Sequence, residues 1–415
     1  MTDYFDSLEQ RSAAVREAAL LAALPLQIAH AMAQAPAFAE RLKGVEASSI
    51  VTRQALAKLP VTRKYELLER QQTQRSQDVF GGFSAVRFGA QMPRVFASPG
   101  PIYEPEGKRT DYWRVGRALF AAGFRPGDLI HNCFSYHFTP AGAIMESGAH
   151  ALGCSVFPGG TGQTEQQLQA MLDLQPTGYC GTPSYLKIII EKATETGVAL
   201  PFLRKALVSG EACPPSLRDW FLAHGVTAYQ CYATADIGLI AYETSAREGL
   251  VLDEGVIVEI VRPGTGDMVA EGEVGELVVT TLNPDYPLIR FGTGDLTAVL
   301  PGPCPTGRTN QRIKGWMGRA DQTTKVRGMF VHPGQVDQVV KRFAEVGKAR
   351  LVISGEMAND QMQLQVETAH PSMALTTAIE QAVREVTKLR AEVSLVVPGS
   401  LPNDGKVIED ARSYK

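Results

Sequence analysis

The chain has 415 residues, of which 44% are hydrophobic and 20% charged, and a formal net charge of −3. That length exceeds one ordinary core and corresponds to roughly two to three domains. A balance this close to neutral supplies no basic surface for nucleic acid or acidic membranes, so small molecules are the expected partners. The start, Met1-Thr-Asp-Tyr-Phe-Asp6, has no cationic n-region, and no apolar run reaches the ~18 residues of a membrane helix. A cytoplasmic protein with no membrane association is expected. Cys133, Cys154, Cys180, Cys213, Cys231 and Cys304 form no C-x-x-C pair, which argues for small buried hydrophobes and against a disulfide framework or zinc site.

Residues 10–44 carry Ala, Leu and Glu at helical spacing and predict an N-terminal helical layer, linked by Lys58-Leu-Pro-Val-Thr62 to the next helix. Tyr112, Val115 and Leu119 share one helix face; the pattern stops at Gly123, and Arg125-Pro-Gly-Asp128 turns into a strand. Short apolar strands at 128–131, 154–158, 177–180, 206–210 and 227–230 then alternate with helix-period segments. This rhythm predicts a mainly parallel sheet with helices on its faces. Thr164-Glu-Gln-Gln167 has the form of a capping box. It directly follows Pro158-Gly-Gly-Thr-Gly162, which suits either a tight turn or a phosphate cradle at a helix start.

From Gly255 the pattern changes to alternating strands at 256–261 and 275–281 around Pro263-Gly-Thr-Gly-Asp267, which predicts a small antiparallel sheet. Beyond Asp321, strands near 351–354 and 362–368, a helix near 373–389 and a strand at 392–397 predict a compact terminal unit. The expected fold is α/β. A large N-terminal domain (1–318) holds mainly parallel sheet layers and a small antiparallel β subdomain, and a small α+β C-terminal domain covers 319–415.

Two loops fall at strand ends: Val208-Ser-Gly-Glu-Ala-Cys213 and Gln230-Cys-Tyr-Ala-Thr-Ala-Asp-Ile-Gly238. Ligands of open parallel sheets bind beyond the carboxyl ends of the strands, so both loops can face one cleft. Pro287-Leu-Ile-Arg-Phe-Gly-Thr-Gly-Asp-Leu296 reads as a Gly-Thr-Gly turn with Asp295 at its tip, an acceptor-only group suited to two ribose hydroxyls. Downstream come Gly318-Arg-Ala-Asp321 and Lys325-Val-Arg-Gly328, a cation and a pivot. Near the end, Leu401-Pro-Asn-Asp-Gly-Lys-Val-Ile-Glu-Asp410 presents Lys406 on a glycine-supported turn. Asn132-Cys-Phe-Ser-Tyr-His-Phe-Thr-Pro-Ala-Gly142 mixes aromatic and small residues. Tyr136, Phe138 and Gly142 are therefore candidates for a slot that takes a flat apolar acid, with core packing as the alternative. His131 and His137 are read as packing or polar lining.

Taken in this order, the motifs resemble those of the adenylate-forming acyl-CoA synthetases, and Tyr286-Pro-Leu-Ile-Arg-Phe291 looks most like the phenylacetate-CoA ligase branch. The resemblance covers nearly the whole chain. It implies a cytoplasmic ligase using ATP, Mg2+ and coenzyme A, in which a carboxylate attacks ATP to give an acyl-adenylate and CoA then displaces AMP. An aryl or arylacetic acid such as phenylacetate is the implied substrate, and a homodimer is compatible with the chain. By the same resemblance Ser209, Gly210, Glu211 and Tyr232 border adenine, Thr234 or its neighbour touches phosphate, and Asp236 takes the place of the acidic magnesium ligand. Asp295 holds the ribose, and Arg319 and Arg327 accompany the nucleotide. Asp321 is the pivot about which the small domain turns, and Lys406 neutralises charge on the α-phosphate and carboxylate.

Two departures stand out. The family commonly has Tyr-Gly-Leu-Thr-Glu where this chain has Tyr232-Ala-Thr-Ala-Asp236, which moves the threonine by one residue and shortens the acid. Where relatives carry a Ser/Thr/Gly-rich phosphate loop ending in Gly-Lys, this chain has Arg94-Val-Phe-Ala-Ser-Pro-Gly-Pro-Ile-Tyr103, with no lysine before Lys108. Each proline removes a backbone donor. Either the phosphate loop is remodelled or adenylation is impaired, which leaves a non-catalytic nucleotide-binding relative as one alternative and an enzyme that passes the acyl group to a carrier protein as another. A dinucleotide-dependent oxidoreductase has no G-x-G-x-x-G after a strand to support it.

Overall fold

The computed structural model describes the chain except for residues 1–2, 263–265, 318–319, 321–323, 328, 332, 357–358, 403–405 and 413–415. Two units emerge, Met1–Met317 and Gly318–Lys415. Arg319 and Asp321 lie outside the described residues, as does part of the 263–267 turn.

The first unit opens with the helix Ala13–Gln34, whose N-cap Ser12 accepts from the Val15 amide at 3.3 Å. It buries Leu20, Leu24, Ile28 and Ala31 against the later sheets. Strands follow in chain order: β1 (Thr62–Arg63), β2 (Arg94–Ser98), β3 (Ile102–Glu106), β4 (Leu129–Asn132), β5 (Ser155–Phe157), β6 (Gly178–Gly181), β7 (Lys205–Val208) and β8 (Thr227–Thr234). Then come β9 (Gly238–Glu243), β10 (Leu250–Leu252), β11 (Val256–Val261), β12 (Gly275–Thr281), β13 (Phe291–Thr297), β14 (Val299–Leu300) and β15 (Arg312–Ile313).

Among the described residues β5-β4-β6-β7-β8 pair in parallel, as the alternating helices require, and the sheet then continues through β9, β10, β15 and β14 with antiparallel pairing. A second sheet has the order β1-β13-β12-β11, with the predicted antiparallel pair β11/β12 at its edge. The helix Ala141–Leu152 packs on the first sheet through Ile144, Met145 and Leu152 and stops at Gly153, whose φ of 83° suits a residue without a side chain.

Arg290, in the Tyr286-to-Phe291 motif, is fully buried. Its guanidinium bonds Glu259 at 3.0 Å, the carbonyls of Ala57 and Gly266, and the Leu59 carbonyl. That arginine therefore ties the second sheet to the Lys58-Leu-Pro link, a structural task.

The capping box expected at Thr164 does not form. Gln163 occupies the N-cap position with φ 56° and no side-chain cap bond, so Thr164 is already helical. Gln167 instead turns back into the glycine loop, where its amide donates to the carbonyls of Gly159 (2.8 Å), Gly160 (3.1 Å) and Gly162 (3.3 Å). The loop thus aims carbonyls at a side chain, an arrangement that satisfies a tight turn and offers no phosphate cradle on that face.

In the second unit, Glu392–Val396, Asn359–Thr368, Val346–Glu356 and Ile408–Asp410 form one sheet in that order. The helix Met373–Thr387, capped by Ser372, covers it with Leu375, Ile379 and Val383, making the α+β unit the periodicity predicts.

Candidate functional site

The loop after β7 starts at Ser209, whose hydroxyl donates to the Cys231 carbonyl at 2.7 Å and so ties the end of β7 to β8. Gly210 next to it is exposed with φ 81°, and Glu211 is half-buried, its carboxylate 3.4 Å from the Ser184 amide. Strand β8 runs past the end of β7 and carries Tyr232 toward the second sheet. There its hydroxyl donates to Asp295 Oδ2 at 2.6 Å. Asp295 is 9% exposed and lies within β13, not at the tip of a turn as the glycines around it suggest. Its Oδ1 accepts from Trp316 Nε1 at 3.1 Å, a partner the sequence did not mark. Two residues from separate motifs and separate sheets thus meet at one carboxylate.

Beyond β8, Thr234 accepts the Ile237 amide on its hydroxyl at 3.1 Å and closes the hairpin turn into β9. Asp236 sits on that turn, buried, with Oδ2 2.9 Å from Lys64 Nζ and Oδ1 without a hydrogen-bond partner. Lys64 opens the helix Lys64–Gln74. Glu104 of β3 reaches the same place, 2% exposed, its Oε1 accepting from Ser98 Oγ at 2.7 Å and its Oε2 without a partner. Burial, and after it the charge of Asp236, hold the Glu104 carboxyl well above the usual carboxylate range. Neither Lys64 nor Glu104 stood out in the sequence, because Asp236, the group that both approach, lies more than a hundred residues from each.

On the acyl side, Asn132 Nδ2 donates to Tyr136 Oη at 2.8 Å and to the Gly142 carbonyl at 2.9 Å. A β-carbon at Gly142 would stand 2.8 Å from the Tyr136 ring, so glycine lets that ring lie on the helix start. Burial and the nearby Glu146 push the Tyr136 phenol up. Phe138 is placed otherwise than expected. It is 82% exposed with φ 61°, turned out by the loop that bonds the Phe138 carbonyl to the Ala97 amide, and is not a wall of an enclosed slot within its unit.

In the second unit Arg327 donates through its guanidinium to the Asp360 carbonyl at 2.8 and 3.1 Å. Lys406 is exposed just ahead of Ile408–Asp410, which pairs in parallel with Val346–Glu356 through Leu351↔Ile408.

Known proteins match this chain along most of its length. The AMP-binding enzyme family matches residues 111–283, and the AMP-binding enzyme C-terminal domain matches 328–411. The phenylacetate-coenzyme A ligase of Thermus thermophilus is 30% identical over 395 residues, 86% of this chain and 87% of that one. This chain belongs to that branch of the AMP-binding enzymes. It is an AMP-forming acid-CoA ligase by family. The phenylacetate-coenzyme A ligase of Escherichia coli is 29% identical across 97% of this chain and 95% of its own. A crystal structure of a 2-hydroxyisobutyryl-CoA ligase in complex with 2-HIB-AMP and CoA superposes with a TM-score of 0.82 at 26% identity, covering 100% of this chain and 95% of that one.

Within this ligase-type chain the proline-bearing segment is a β-hairpin. β2 and β3 pair from Arg94↔Glu106 to Ser98↔Ile102, leaving Pro99, Gly100 and Pro101 at the tip. Only Gly100 there retains an amide hydrogen. The Ser98 hydroxyl is engaged with Glu104. Substituting Ser98 by Ala is therefore expected to lower ATP–pyrophosphate exchange only by roughly a few-fold, about the worth of one ordinary hydrogen bond. A collapse of exchange in a folded variant would mean that the hairpin tip still grips phosphate.

His131 is wholly buried, its Nε2 2.6 Å from Gln167 Oε1 and its ring 5.0 Å from Phe157. The Gln167 amide already donates to carbonyls, so Nε2 carries the proton. Burial lowers the imidazole pKa, so the native state holds it neutral. The unfolded chain takes up a proton below the ordinary imidazole value of 6.5, and the native state resists it. Stability is thus complete above that pH and is lost as pH falls beneath it. The denaturant midpoint should drop as pH is lowered through this range, and His131→Asn should flatten the drop; an equally steep profile in the variant would remove His131 as the cause.

Proposed function

We propose that this protein is an ATP-dependent ligase that activates an aryl or arylacetic acid, such as phenylacetate, as its acyl-adenylate and transfers the acyl group to coenzyme A. The observation that carries the reading is the Tyr232–Asp295 contact at 2.6 Å. It brings the residue expected at adenine and the residue expected at ribose to one point beside the Ser209 loop. A buried carboxylate that takes two donors there can exchange them for the two hydroxyls of a ribose.

In this reading ATP lies along the ends of β7 and β8, and the Asp236 turn faces its phosphates. Asp236 suits Mg2+: it is a hard-oxygen carboxylate with one oxygen free of hydrogen bonds, and Mg2+ is commonly held by one or two carboxylates together with substrate phosphates. The metal would lend electrophilic help to phosphoryl displacement. This chain's own residues bind and orient the nucleotide, and burial around Asp236 excludes water. In the same reading the smaller unit contributes Lys406 to adenylation and Arg319 and Arg327 to the nucleotide, and it turns about Asp321 between the two steps. The related 2-hydroxyisobutyryl-CoA ligase has been crystallised in thioesterification, postadenylation and open states, which supports such a movement. A cytoplasmic homodimer is the setting that accompanies this reading.

A second reading concerns the acid. The polar group formed by Asn132, Tyr136 and Glu146, the exposure of Phe138 and the likeness to a 2-hydroxyisobutyryl-CoA ligase favour a small hydroxy acid. ATP–pyrophosphate exchange against phenylacetate, benzoate, 2-hydroxyisobutyrate and straight-chain acids decides between them. Exchange with an aryl acid alone supports the first reading, exchange with 2-hydroxyisobutyrate alone the second, and no exchange with any acid would defeat both. Thioester formation that requires CoA would exclude a carrier-protein acceptor.

A further inference from the structure

The hairpin that replaces the usual phosphate loop brings in a buried acid and no lysine. Glu104 is 2% exposed and Asp236 5%. Each keeps one carboxylate oxygen, Glu104 Oε2 and Asp236 Oδ1, buried without a hydrogen-bond partner. The Tyr286 hydroxyl, 1% exposed, also has no partner, and the charges of both acids act on it. Three partnerless oxygens therefore gather from β3, from the β8/β9 turn and from the segment before β13. Buried polar atoms are seldom left so; the two carboxyls lie close enough to share one proton, and a guest cation would satisfy both oxygens in its place.

The guest has a definable chemistry. Two carboxylates and a phenol offer hard oxygens, and Lys64, 2.9 Å from Asp236, balances one of the two negative charges. Among the described residues no group of three or more His, Cys, Asp or Glu could hold a metal by itself. A cation here would need oxygens from elsewhere, as Mg2+ does when it binds with nucleotide phosphates.

Resting on the ligase reading above, we propose that Glu104 is a second protein ligand of the divalent cation that Asp236 holds, so that this chain grips the metal–nucleotide pair by a carboxylate on the remodelled hairpin. Ser98 is then a positioning residue, fixing Glu104 Oε1 so that Oε2 faces the cluster. Lys64 supplies from a helix start the positive charge the hairpin lacks.

The test uses Mn2+ as probe, followed by electron paramagnetic resonance on the full chain with a non-hydrolysable ATP analogue. Wild type should form a ternary complex with a protein-bound Mn2+ signal. Glu104→Gln, which still accepts from Ser98, should weaken Mn2+ in that complex at least tenfold while thermal unfolding stays near wild type, and Asp236→Asn should do likewise. Glu104→Asp should recover part of the affinity, which a packing role would not predict. If Glu104→Gln binds Mn2+ as wild type does while Asp236→Asn does not, the free Glu104 oxygen shares a proton with Asp236 and the proposal fails. If wild type shows no protein-bound Mn2+ yet exchanges pyrophosphate, the proposal fails and the ligase reading stands; if it neither binds the analogue nor exchanges pyrophosphate with any acid, both fail.

Discussion

Replacing Lys406 by alanine is expected to depress ATP–pyrophosphate exchange by about 10² or more while leaving thioester formation from supplied acyl-adenylate and CoA near normal. The lysine is exposed, and the strand that follows it is fixed in the sheet of the second unit by three parallel pairs, Leu351↔Ile408 to Ile353↔Asp410. The residue is exposed just ahead of this paired strand. A compact, strongly hydrated point charge of this kind contributes most where negative charge develops during adenylation. Once the adenylate exists that charge has been resolved, so the second half-reaction should not need it. Loss of both activities would make Lys406 structural, and loss of thioester formation alone would place it in the CoA-bound state.

The order of motifs along the chain was enough to reach the family, and the α/β class followed from short apolar strands alternating with helices, with the Ser209 loop and the Tyr232-to-Asp236 stretch at the ends of the parallel strands β7 and β8. Single-segment readings fared less well where a distant side chain decided the outcome. Asp295 looked like a turn residue because glycines surround it, yet pairing of β13 with β12 draws Gly292 and Leu296 into the sheet and Gly294 takes φ 73° within the strand. Thr164 had the local form of a cap, but Gln167 gains more partners from the glycine loop and from His131 than from one backbone amide. Phe138 looked like a slot wall from its apolar ring alone. The pairing of Lys64 with Asp236, 172 positions apart, and the approach of Glu104 to both had no local signal.

Asp295→Ala is expected to weaken ATP tenfold or more while changing affinity for the acid little. Hydrogen bonds to a charged acceptor are worth on the order of 1.5 to 3 kcal/mol, which converts to about one to two powers of ten in affinity. The structure adds a complication, since alanine also strips the partner from Tyr232 Oη and Trp316 Nε1, both of which donate to this carboxylate. Part of any loss could then come from a disturbed pocket. Asp295→Asn separates the causes: it keeps the shape and one acceptor, turns an amide donor toward another donor, and cannot receive both ribose hydroxyls. Tyr232→Phe removes the internal bond while leaving the carboxylate free for ribose. If Asp295 binds ribose, calorimetric titration should rank ATP affinity as wild type, then Tyr232→Phe with only a modest loss, then Asp295→Asn and Asp295→Ala with the largest. Equal losses in Tyr232→Phe and Asp295→Asn would make the internal bond the important element, and unchanged ATP affinity in folded Asp295→Ala would take the residue out of the site.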